Sequence, residues 1–232
     1  MLKWLSMAAM AAFAALVLTG PDATAQAQRI TIGTNPQGSL YYVVGGGIAK
    51  IFSEELERRA TTQPYAGSSV YLPLVDSGEV TLGLVSSLDG GRSFRGEGSE
   101  PTRNLRTIAR LWPLSYAYMT RADSDIRTIQ DLEGKRVVVE IRANAALAAA
   151  NRAMLASGGL SEDDVQSIDI GNLPQGVEGL IEDTLDATAI AVGIPLTRQA
   201  HASISGGIRY VELQGEDATD EFLHEQLPGL FS

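Results

Sequence analysis

No cysteine occurs in the 232 residues, and histidine and tryptophan occur only twice each. Without cysteine the chain has no disulfide and no lipid-modified thiol, a pattern common among bacterial periplasmic proteins with sizeable cores. His201 and His224 lie far apart with no ligand spacing around them, so no metal centre is expected, and both read as exposed helix residues. Basic residues are also scarce: 18 Lys and Arg stand against 28 Asp and Glu, a formal charge of −10. That balance excludes a phosphate-backbone partner, which needs a clustered basic face, so no nucleic acid is expected. It leaves anionic small molecules open, because one local Arg or helix terminus outweighs distant carboxylates.

Several catalytic signatures are missing as well. Gly33-x4-Gly38-Ser39 has the glycine spacing of a phosphate-binding loop, but the lysine after the second glycine is absent. No GxGxxG follows a strand, and no serine sits in a GxSxG elbow. Nothing here asks for catalysis or a cofactor. The composition, 44% hydrophobic and 20% charged, suits one large domain or two small lobes.

What is present begins with an export signal. Lys3, the apolar run Leu5 to Leu18, the break at Gly20-Pro21 and the small-x-small sites near Ala23 to Ala27 predict a cleavable leader over residues 1–27. The apolar run is short for a membrane span. A periplasmic, acidic mature protein follows.

Strand and helix patterns then alternate, which predicts α/β layers with largely parallel strands. Strands are expected at Arg29 to Gly33, Val80 to Val85, within Leu105 to Thr120, and at Arg136 to Ile141, Ala187 to Val192 and Ile208 to Leu213. Helices are expected at Ser39 to Arg59, Ser68 to Ser77, Ala143 to Ser157 and Pro174 to Thr184, with a helical turn at Ile129 to Leu132. A change of character near Arg121-Ala-Asp-Ser-Asp125 divides the chain into a first α/β lobe, 28–120, and a second, 121–214, with 215–232 starting a return to the first. A crossing strand around Tyr116 to Arg121 joins them, and small ligands sit in such clefts.

The stretch Gly33-TNPQGSLYYVVGGG47 holds five glycines between a strand and a helix. A helix N-terminus offers unpaired N–H groups to a carboxylate or phosphate. Gly38 permits close approach, Ser39 caps the helix or donates to a ligand, and Tyr41 and Tyr42 supply ring faces and phenolic donors. Gly45, Gly46 and Gly47 are read as helix packing. Gly67-Ser68-Ser69 and Ser86-Ser87 repeat the hydroxyl-bearing turn, and three such turns would line one edge of a cleft. Tyr116 and Trp112 are placed near the cleft floor, Trp112 as core.

Gly33 to Phe52, Gly67 to Gly90, Asn104 to Pro113, Arg121 to Val139 and Gly193-IPLTR198 together resemble TAXI-type solute receptors of TRAP transporters, over nearly all of the mature chain. The resemblance implies a two-lobed periplasmic-binding-protein-like fold (type II) that closes on a small carboxylate, an amino or organic acid. It also implies delivery of that solute to a TRAP membrane permease. Carried over by position, Asn35, Gly38, Ser39, Tyr41, Ser68, Ser69, Ser86 and Ser87 form the first-lobe side of the site. Two departures stand out. The small turn expected after Val137-Val-Val139 reads Glu140-Ile-Arg-Ala-Asn144; Arg142 is either a bidentate fork for a carboxylate or an exposed residue paired with Glu140 or another acid, and Asn144 caps the next helix. The chain also stops where such receptors return to the first lobe, so the return segment is expected to be missing. Rival readings are a receptor for an ATP-driven importer or a sensor, and an enzyme on the same scaffold, which needs an acid–base pair at the cleft.

Overall fold

The computed structural model describes residues 29–215, 217–228 and 230, so the leader lies outside the described residues. Two sheets organise the chain. The smaller contains β1 (Ile30–Thr34), β2 (Ala60–Pro64) and β3 (Leu82–Gly83) in the order β2-β1-β3, all parallel. Its helices are α1 (Leu40–Glu54), α2 (Ser68–Asp76) and α3 (Ser87–Arg95). The larger contains β4 (Tyr116–Arg121), β5 (Arg136–Ile141), β6 (Gln166–Ile170), β7 (Ala187–Ala191) and β8 (Ile208–Tyr210) in the order β6-β5-β7-β4-β8. With it go α4 (Ala145–Ser157), α5 (Leu173–Ile181), α6 (Pro195–Ser203) and α7 (Asp220–Gln226).

The larger sheet is buried on both faces. Along β4, Tyr118 points into one core with Val137, Val139, Ala187, Ala189, Met154 and Leu155. Its neighbour Met119 points into the opposite core with Ile190, Val177, Leu180, Ile194 and Ala200. This alternation follows from the two-residue period of a strand. The parallel expectation holds for β5 with β6 and β7, but β4 runs antiparallel to both of its neighbours. Arg136, at the start of β5, donates to both carboxylate oxygens of Asp186, just before β7, at 2.7 and 3.1 Å, which ties these two strands at their edge.

The smaller sheet is thinner. Gly33 packs its Cα against the Tyr71 ring, leaving 3.1 Å for any added Cβ. The apolar residues of α1 are only partly buried: Val43 and Ile51 are exposed, while Tyr41, Gly45 and Ala49 are buried. The helix sits close because Gly45 lies over Thr34, where a Cβ would come within 2.7 Å. Gly46 and Gly47 face open space, so the packing role read for all three glycines belongs to Gly45 alone.

Three further expectations change. Leu105 to Leu114 forms no strand; it is an irregular crossing segment that leads into β4. β2 and β6 were not anticipated, and α6 was anticipated only in the reading of His201 as a helix residue. The β-like run Val80 to Val85 contributes only the two residues of β3.

Candidate functional site

The two sheets meet along the N-termini of their helices. Ser39 caps α1, its Oγ accepting from the Tyr42 N–H at 3.2 Å, and Gly38 makes the preceding turn at φ +84°. Ser86 caps α3, accepting from the Asp89 N–H at 3.0 Å and donating to Asp89 Oδ2 at 3.0 Å. α2 begins at the extended residue Gly67, with no side-chain cap. These are the three hydroxyl-bearing turns anticipated on one edge of a cleft. Opposite them stand the starts of α4, α5 and α6.

Contacts cross the gap at several points. The Asn144 amide donates to Ser68 Oγ at 3.0 Å, the Ser69 N–H to the Ala143 carbonyl at 3.1 Å, and the Leu196 N–H to the Gly38 carbonyl at 3.4 Å. Asp89 reaches furthest: its Oδ1 accepts from the Ala146 N–H at 3.2 Å, in the first turn of α4. A carboxylate from the smaller sheet's side therefore sits on an unpaired N–H of a helix from the larger.

Between these contacts lies a cavity of about 30 Å³, lined by Asn35, Ser39, Tyr41 and Asp89 on one side and by Tyr116, Asn144, Leu147 and Ile194 on the other. It has room for about two water molecules. The Tyr41 ring meets Trp112 edge to face, with centroids 6.4 Å apart. The Tyr116 hydroxyl donates to Asn151 Oδ1 at 2.9 Å, which holds the ring against α4.

Asp89 was not among the residues singled out from the sequence. It is 6% exposed, and burial raises its carboxyl above the ordinary range, although Ser68, Ser86, the Ala146 N–H and Arg92 all favour the ionised form. The Tyr41 and Tyr116 hydroxyls are likewise pushed well upward, by burial first and by the Asp89 charge as well. All three groups share a buried, low-dielectric site. The sequence did carry a faint signal: Ser86-x-x-Asp89 is the spacing of a cap and the third residue of a helix.

Of the expected site residues, Asn35, Ser39, Tyr41, Tyr116 and Asn144 line the cavity. Gly38, Ser68, Ser69 and Ser86 hold its walls. Ser87 is exposed on α3. Arg142 is exposed and donates to Asp169 Oδ2 at 2.5 Å, on the outer face, while Glu140 pairs with Arg152. Arg142 is thus not brought to the cavity, because the peptide after β5 turns its side chain toward β6. Asn144 stands at the cap position of α4 without a side-chain capping bond, since its amide is turned to Ser68 instead.

The likeness to known proteins agrees with this architecture. Residues 32–228 match the NMT1-like family. The fold is shared with the periplasmic aliphatic sulphonate binding protein SsuA of Escherichia coli, at a TM-score of 0.54 and 18% identity over 79% of this chain and 56% of that one. It is shared also with the alkanesulfonate-binding protein SsuA of Xanthomonas axonopodis pv. citri, at 0.59 and 18% over 79% and 60%. An ancestral arginine-binding protein bound to glutamine matches at 0.55 and 15% over 86% and 88%. The chain spans less than two thirds of the length of the two sulphonate binders. The periplasmic-binding-protein-like α/β fold expected from the sequence is therefore the one observed, and the chain belongs to the NMT1-like family.

Proposed function

We propose that this chain is an extracytoplasmic solute receptor: it encloses a small molecule between its two sheets and hands it to a membrane permease. The observation that carries the reading is the cavity at the junction, lined from both sides by helix starts and buried polar groups. Cross-junction hydrogen bonds from Asn144, Ser69, Leu196 and Ala146 give the closed arrangement a defined geometry. A space of about 30 Å³ is smaller than a metabolite, so a bound solute holds the two halves further apart than they stand here. Capture is then a shift of an open–closed equilibrium by contacts that the closed form alone provides. No acid–base pair with a nucleophile faces the cavity among the described residues, which favours a binder over an enzyme.

The finer assignments belong to the same proposal. The leader places the mature protein in the periplasm, two lobes divide near residue 120, and the resemblance to TAXI-type receptors makes a TRAP permease the partner, with an ATP-driven importer as the alternative. The expected carboxylate solute lacks a cation to meet it. Of the described residues lining the cavity none is Lys, Arg or His, and Asp89 would repel a second carboxylate at about 4 Å by about 4 kcal/mol at an effective dielectric near 20.

Native mass spectrometry of protein recovered from the periplasm tests the reading. A mature mass beginning after residue 25, with a small molecule lost on activation, supports it. A chain that retains its leader and carries nothing, with no mass shift on exposure to a metabolite extract, contradicts it.

A further inference from the structure

The polar atoms around the cavity are unevenly matched. Asn35, 5% exposed, has an Oδ1 with no hydrogen-bond partner, and so has Asn144, 1% exposed. The orientation of Asn144 is fixed by its surroundings. Ser68 stands between Asn144 and Asp89, and its single hydroxyl proton is best used on the carboxylate, so its oxygen must accept from the Asn144 amide. That leaves Oδ1 as the unused atom. Asp89 itself has two oxygens and about four acceptor sites, of which Ser86 and the Ala146 N–H use two, with the Ser68 hydroxyl close enough to favour the ionised form. The donors that meet Asp89 in the cavity wall are all neutral. The nearest cation, Arg92, lies one turn along α3, directs its guanidinium toward Glu97 at 3.6 Å and lines no part of the cavity.

A buried carboxylate that bonds no cation and feels Arg92 only at a distance, beside orphaned amide oxygens, is an expensive arrangement unless something supplies donors and positive charge. We propose that the solute's anchor in this cavity is a cationic nitrogen, an ammonium or guanidinium, seated on Asp89 with Asn35 accepting one of its remaining protons. The proposal rests on the receptor reading and names its substrate class. Tyr41 and Tyr116 line the same space, and aromatic rings also suit a cation. In the closed form Asp89 is held meanwhile by the first turn of α4. Arrival of a cation gives its charge a partner.

The test uses four probes of similar length on the full mature chain: 1,4-diaminobutane, agmatine, succinate and butane-1,4-diol. Calorimetry gives affinity, and the emission of Trp112, in contact with Tyr41, reports on the cavity. The two amines should bind and change the emission, with succinate and the diol at least ~30-fold weaker, the range of a charge-assisted hydrogen bond. Asp89→Asn should weaken the amines by a similar factor. Succinate binding as tightly as the amines overturns the cation anchor and leaves the receptor reading standing. Amine binding that stays within twofold in Asp89→Asn also overturns it. If no probe binds, both readings fail for solutes of this size. Should Asp89→Asn not fold, the comparison of the four probes on the unaltered chain decides by itself.

Discussion

Asp89 concentrates the physics of the site in one residue. Burial raises its folded-state pKa above the ordinary 3.8, so the folded protein holds this proton more tightly than the unfolded chain does. The associated stability is fully present below pH 3.8 and is lost as pH rises through the raised folded value. Ionising Asp89 is therefore a cost to folding. Asp89→Asn keeps an acceptor for the Ala146 N–H and removes the buried charge. Its Tm at pH 7 should rise by about 2–4 °C, near 1 kcal/mol for a chain of this size, and the difference should vanish below about pH 4. A variant that melts lower at pH 7 would show that the hydrogen bonds to the carboxylate outweigh its desolvation.

Arg142 gives the opposite case. Its ion pair with Asp169 has side chains 62% and 49% exposed, and such pairs contribute between about 0 and 1 kcal/mol. Arg142→Ala should leave solute affinity within twofold by calorimetry; a tenfold loss would return it to the site. The sequence could not separate these two residues. Asp89 reads as a solvated charge at a helix start, and only the docking of α4 over it creates its burial. Arg142 reads equally as a carboxylate fork or as an exposed residue paired with an acid, and the structure shows the second, with Asp169 of β6 as the acid.

Among elements, legibility followed burial. α4 was evident because its Ala-rich run, closed by Gly158-Gly159, packs between the sheet and neighbouring helices. β5 and β7 were evident as short apolar runs. β2 reads ATTQP and β6 reads QSIDI; both lie at sheet edges, half exposed, where polar residues erase the apolar signal. The crossing segment misled for the converse reason, since Ile108 and Leu111 look like strand interior yet are 79% and 52% exposed. The element with the most direct test is the start of α2. A Cβ on Gly67 would fall 2.1 Å from the Ala143 carbonyl oxygen and 2.4 Å from Asn144 Oδ1, across the junction. Its backbone is extended, so alanine brings no conformational strain there. Gly67→Ala should therefore obstruct closure alone: affinity should drop at least ~10-fold with Tm changed by only a few degrees. Unchanged affinity would mean that this part of the junction is not closed in the bound state.

At the scale of the whole molecule, the two sheets have unequal support. The larger carries apolar cores on both faces, while the smaller leans on Tyr71, Leu72 and Ile32 and on its contacts with α4 and α6. The alternation of strands and helices made this class of architecture legible, but the antiparallel insertion of β4 was not, because pairing direction leaves no local mark on a sequence. A receptor needs these two units to move relative to each other, with the irregular segment before β4 free to adjust. The absence of cysteine makes that motion easy to follow, since any introduced pair is unique. Spin labels at Lys50→Cys on α1 and Ala202→Cys on α6, both exposed positions, report the separation of the two units by pulsed electron resonance. Two distance populations are predicted in protein stripped of small molecules, with the longer one lost to a single shorter population when the solute recovered from the periplasm is restored. A single distribution, the same in both conditions, would contradict capture by closure.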